Sequence, residues 1–179
     1  MQLLKLTAFT TILFAIAISF VSCEKDAERK KTQEYIKSGI PMTAAQENNP
    51  ANVSSALGTL DVYYAKNSKI LSYKVTWSGL TDSVELMHIH GLAPSGYNAG
   101  VVHNIIVPGT PNGTLGLGIF AQKTSAGKYN FSNSGTLSAS VTVDDVKIKE
   151  ADLLNGLYYL NIHTRTYPGG EIRGQIKFQ

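Results

Sequence analysis

The residues best equipped for chemistry are the histidines. His88 and His90 form a His-x-His pair, and with His103 and His163 they are the four histidines of the chain. In a β-strand, residues i and i+2 point to the same face roughly 7 Å apart, close enough for two imidazoles to converge on one ion. Third and fourth ligands then have to come from neighbouring strands, and His103 and His163 are the available ones. Four neutral imidazoles suit a late first-row divalent ion, with copper at the top of the affinity order. The same pattern fits a second role, in which partly buried imidazoles bond to loop backbone and fix the connection 91–100. The separation of the ring nitrogens decides between the two.

The elements that have to position these side chains read as strands. Beyond Gly39, short β-type runs are broken by Gly, Asn, Pro and Ser, which implies an all-β fold rather than alternating helices and strands. Leu60, Val62 and Tyr64 alternate with Thr59, Asp61 and Tyr63. Leu71, Tyr73, Val75 and Trp77 alternate with Ser72, Lys74 and Thr76, so strands 56–65 and 69–77 make a hairpin turned at 66–68. Further strands are expected at 84–90, 101–107, 115–121, 136–143, 157–163 and 171–178, giving a sandwich of about eight. The segments 108–113 and 129–135 read as loops. One short helix is expected over 144–155, with Asp144 or Asp145 at its start and Gly156 as its stop.

Strand parity refines the histidine reading. Tyr158, Leu160 and Ile162 form the apolar face of their strand, leaving Tyr159, Asn161 and His163 on the other. In the last strand Ile172, Gly174, Ile176 and Phe178 point inward, and Glu171, Arg173, Gln175 and Lys177 outward. Strand 84–90 is apolar on both parities and is expected to be buried on both sides. The run Tyr167-Pro168-Gly169-Gly170 is a tight turn before the last strand.

The whole chain bounds the partners. Its 179 residues suffice for one domain, and sixteen basic residues are scattered among thirteen acidic ones for a net charge of +3. That pattern leaves no basic stripe for nucleic acid. Residues 1–22, with Lys5 before an apolar run, read as a signal peptide too short for a membrane span. The run ends in Phe20-Val21-Ser22-Cys23, which resembles a bacterial lipobox, so Cys23 is the expected site of lipidation. As the single cysteine it has no disulfide partner within the chain. Two or more acyl chains on Cys23 give stable membrane attachment, placing the protein in the bacterial cell envelope, on an outer membrane facing the periplasm or the cell surface. Residues 23–39 are expected to be the lipidated cysteine and a flexible tether, because the stretch is charged and poor in large apolar residues, and 40–179 the folded domain. Asp82-Ser83-Val84 resembles a short bacterial O-glycosylation acceptor, with Ser83 carrying the sugar.

His88-Ile89-His90-Gly91 with Pro94, and the closing segment from Asn161 to Ile176, strongly resemble the CHRD domain, as do residues 42–47 and the Gly58-Thr59-Leu60 strand. The resemblance spans residues 40–179 and implies an exported Greek-key or immunoglobulin-like β-sandwich. A more distant resemblance is to copper/zinc superoxide dismutases, whose copper site has a His-x-His pair, two later histidines and a C-terminal arginine that guides the anion. It implies copper ligation by His88, His90, His103 and His163 on a dismutase-like sandwich, with Arg173 acting on the anion. The chain lacks the further histidines of the zinc site and the cysteine pair. Two functions follow: a membrane-anchored binding module for a protein or glycan partner, or a copper-binding protein with dismutase-like redox activity.

Overall fold

Alternating side chains along the chain give nine antiparallel strands in the structure, a computed structural model in which residues 33–107, 114–115 and 131–178 are described. They are β1 (Glu34–Thr43), β2 (Leu57–Ala65), β3 (Ile70–Ser78), β4 (Leu86–Gly91), β5 (Val101–Val107), β6 (Thr114–Leu115), β7 (Gly135–Thr142), β8 (Tyr158–His163) and β9 (Ile172–Ile176). The ladder runs β6-β5-β4-β8-β9-β1-β2-β3-β7. The fold is all-β, as the runs of alternating residues predict.

The β2–β3 hairpin forms with Ala65 opposite Ile70 and Leu60 opposite Val75. Leu60, Val62, Tyr64, Leu71, Tyr73, Val75 and Trp77 are buried in one cluster with Met87, Ile89, Leu160, Ile162 and Ile172 from the other half of the ladder. The sheet therefore curls so that its two halves enclose one apolar core, a sandwich-like arrangement whose halves are joined through β1. At that junction Thr43 pairs with Arg173.

Several boundaries differ from the expectation. Strand β1 begins at Glu34, inside the stretch 23–39 expected to be tether. Its alternation is weak, with only Ile40 and Met42 buried, so the strand rests on its place between β9 and β2 more than on its own composition. The expected helix 144–155 shrinks to α1 (Glu150–Leu154). Asp144 explains the loss: its Oδ1 accepts from the backbone of Val146, Lys147 and Ile148 at 2.8–3.1 Å, closing a turn that competes with the helix. Gly156, at φ +71°, ends α1 as expected. The expected strand 115–121 is described only at 114–115, as β6, and residues 116–121, loop 108–113 and residues 129–130 lie outside the described residues.

Candidate metal centre

Register between β4, β8 and β9 assembles the site. His88 lies directly across from Asn161 and His90 from Tyr159, while Asn161 in turn faces Arg173 and Tyr159 faces Gln175. Cross-strand partners share a face. His88, His90, Tyr159, Asn161, His163, Arg173 and Gln175 therefore form one polar field on the reverse of the core-facing residues Met87, Ile89, Leu160 and Ile162.

Parity separates the two faces as read from the sequence, but the second face does not meet water. His88, His90, Asn161, His163, Glu171, Arg173 and Gln175 are all buried, which corrects the outward assignment of Glu171, Arg173 and Gln175. Segments 44–54, 91–100 and 164–170 lie over this face and supply the polar partners it needs. Glu171 accepts from Ser54 Oγ at 2.6 Å, Thr81 N at 2.9 Å, Thr81 Oγ1 at 3.0 Å and Thr164 Oγ1 at 2.6 Å. Gln175 Nε2 donates to Ala93 O and Gly156 O at 2.9 and 2.8 Å.

Within this field three histidines converge. One ring nitrogen from each of His88, His90 and His163 lies within 4.8 Å of the other two. Nitrogens around one tetrahedral ion stand about 3.3 Å apart at the usual imidazole–metal distance of about 2 Å, so the widest pair needs to close by about 1.5 Å. Two of the tautomers are set by backbone carbonyls, which can only accept. His90 Nδ1–H donates to Ala99 O and His163 Nδ1–H to Pro168 O, each at 2.9 Å. Both rings therefore present an Nε2 lone pair to the cluster, the orientation that outer carbonyls impose on metal-bound histidines. His90 Nε2 is buried with no hydrogen-bond partner, an acceptor that a cation would satisfy.

His163 Nε2 lies 3.2 Å from His88 Nδ1, so the proton between the two rings sits on His88. A divalent ion bound there would shift that proton to His88 Nε2. Burial, reinforced by the neighbouring His163 and His90 rings, pushes His88 down to about 4. Burial also lowers His90 and His163, so near neutral pH all three are in the uncharged form that ligates metals. The chemistry of the donor set thus fits a transition metal ion.

Two expected site residues stand elsewhere. His103 is directly across from Ile89, not from His88 or His90. Because cross-strand partners share a face, its ring belongs to the core side of β4, and the fourth-ligand assignment fails on register. Its pKa is lowered by burial and by Lys147, consistent with a place away from the cluster. Arg173 is 1% exposed. Its guanidinium donates to Tyr97 O at 2.9 Å, Pro94 O at 3.4 Å and Gln175 Oε1 at 2.8 Å, and lies 3.4 Å over the Tyr159 ring. The other neighbour of that ring is His90, parallel to it at 4.8 Å between centroids. Arg173 thereby braces loop 91–100, whose Ala99 carbonyl orients His90. A cavity of about 270 Å³ beside it also presents Glu47, whose carboxyl burial pushes up to about 7.

Ser83 is exposed, and Cys23 lies outside the described residues. Among the described residues no helix is long and apolar enough to cross a membrane. Sequence reasoning placed Asn161 on the face of His163 without giving it a role, although parity was the signal available.

A curled antiparallel sheet in which a His-x-His strand, β4, pairs with an Asn-x-His strand, β8, defines the class of this protein. The CHRD domain family model matches residues 39–176, and the chain belongs to that family. No curated protein and no solved structure matches it.

Proposed function

We propose that this protein is an exported CHRD-domain binding module, held at a membrane by lipidated Cys23, whose bound species is a divalent transition metal ion with copper preferred. The observation that carries the reading is the convergence of His88, His90 and His163 with two of their tautomers fixed by Ala99 O and Pro168 O. These residues would hold the ion through His88 Nδ1, His90 Nε2 and His163 Nε2, and the ion would supply Lewis acidity or, as copper, one-electron chemistry. Dismutation gains no support from Arg173, which is occupied with loop carbonyls. The exported, lipid-anchored setting rests on residues 1–23 and on the CHRD resemblance; a glycan on Ser83 would be compatible with its exposure.

The test is metal analysis of the purified full chain after loading with copper or zinc and removal of excess ion. One equivalent of copper, bound more tightly than zinc, is expected. Absence of stoichiometric copper at neutral pH overturns the reading and leaves the three histidines as hydrogen-bonded supports for loops 91–100 and 164–170.

A further inference from the structure

Three imidazoles leave a fourth position open, and the sequence candidate for it, His103, is on the wrong face. A further donor beside them is the side chain of Asn161. It is 2% exposed and sits at the middle of the polar field, directly across from His88 and two residues before His163 on the same face of β8. Its Oδ1 lies 3.0 Å from His163 Nε2. The Pro168 carbonyl already takes the Nδ1 proton of His163, so Nε2 carries a lone pair, and an amide oxygen is an acceptor as well. The proton on His88 Nδ1 serves His163 Nε2, so Oδ1 receives none from the His163 ring, and a cation in place of that proton would satisfy both acceptors. Donors around one tetrahedral ion with bonds of about 2.0–2.1 Å are separated by roughly 3.3 Å. The His163–Asn161 and His163–His88 separations of 3.0 and 3.2 Å lie near that spacing, and the widest pair of ring nitrogens, at up to 4.8 Å, has to close toward it when an ion binds.

The amide orientation has its own support. Burial pushes the Glu47 carboxyl up to about 7, and the neighbouring Asn161 side chain acts against that rise. Gly170 permits this approach: a Cβ there would overlap Glu47 Oε1 and stand 2.8 Å from Asn161 Nδ2. With Nδ2 on the side of Gly170 and Glu47, Oδ1 faces His163.

We infer that Asn161 Oδ1 is the fourth ligand of the His88–His90–His163 site. The inference rests on the metal-binding reading above and deepens it. It makes the donor set three nitrogens and one oxygen, which favours divalent over monovalent copper because an amide oxygen is a hard ligand.

The experiment loads the full chain, the Asn161→Ala variant and the Asn161→Asp variant with copper(II) and, separately, with cobalt(II). Affinity is measured by competition titration, and coordination by copper(II) electron paramagnetic resonance and cobalt(II) visible absorption. Asn161→Ala is expected to weaken copper(II) binding about 10- to 100-fold and to change both spectra. Asn161→Asp keeps an oxygen donor at the same place and adds a negative charge, so it should retain the ion and shift the spectra without loss of affinity. Glu47→Gln should weaken binding less than Asn161→Ala while leaving the donor set, and hence the spectra, close to wild type. If the full chain binds copper and both Asn161 variants give wild-type affinity and spectra, the fourth-ligand inference fails and the three-histidine site stands. If the full chain binds none, the parent reading fails first. Should Asn161→Ala not fold, the Asn161→Asp spectra decide: a wild-type signal overturns the inference and a shifted one supports it.

Discussion

His88 Nδ1 and His163 Nε2 lie 3.2 Å apart although 75 residues separate them in the chain. The β4–β8 ladder brings about this approach, because Asn161 faces His88 and Leu86 faces His163, leaving the two imidazoles diagonal neighbours on one face. The geometry sorts the histidines into two groups. His163→Ala should reduce copper affinity by more than about 100-fold, beyond the usual effect of altering an outer-shell partner. His103→Ala should leave affinity within about threefold of wild type, the scatter expected for a residue outside the site. Isothermal titration of both variants checks this, and equal losses would show that His103 reaches the ion.

The depressed pKa of His88 has a pH signature. Its folded-state value of about 4 lies below the ordinary histidine value of 6.5, mainly through burial. The folded protein thus binds fewer protons than the unfolded chain between these values, and the associated stability is present above pH 6.5 and lost as pH falls toward 4. Thermal unfolding without added metal should show Tm falling across that window, with a shallower fall for His88→Asn. A His88→Asn profile parallel to wild type would assign the acid sensitivity to other groups.

Arg173 is expected to act through positioning. Removing it leaves the carbonyls of Tyr97 and Pro94 without their donor and uncovers one side of Tyr159. Arg173→Ala should destabilise the fold by about 3 kcal/mol, the scale for losing charge-assisted bonds at a buried site. Amide exchange in loop 91–100 should rise with it. An anion-guiding role would instead predict unchanged stability and exchange.

Glu171 gathers four donors from Ser54, Thr81 and Thr164. In Glu171→Gln one acceptor oxygen becomes an NH2 group facing donors, so a loss of about 2 kcal/mol is expected. Denaturant titration measures it, and a change below about 0.5 kcal/mol would mean that the surrounding hydroxyls reorient to accept from the amide.

The membrane anchor is tested by Cys23→Ser. Lipidation at Cys23 predicts that the variant is unprocessed at that position and no longer carries acyl chains, and mass spectrometry of the membrane and soluble fractions reads both. An acylated Cys23→Ser protein would place the lipid elsewhere.

What the sequence by itself determined was local. Alternation in residues 56–65 and 69–77 established the first hairpin, and parity put His88 with His90 and set His163 apart from Leu160 and Ile162. These follow from a backbone period of two that every strand obeys whatever its neighbours. The strong closing segment, Asn161 to Ile176, carried the family resemblance as well.

Only the tertiary structure decided which histidines meet. His163, not His103, joins the pair because Ile89 faces His103 across β5 while Asn161 faces His88 across β8. A one-residue slip in register exchanges the faces, and the β4–β5 pairing has two register irregularities that local patterning does not encode. Burial of Glu171, Arg173 and Gln175 was likewise illegible. Their parity away from the core is correct, but segments 44–54, 91–100 and 164–170 cover that face and satisfy its polar groups. Strand β1 carries the same lesson, since residues 34–39 look like tether in composition and become a strand through pairing with partners contributed by the rest of the chain.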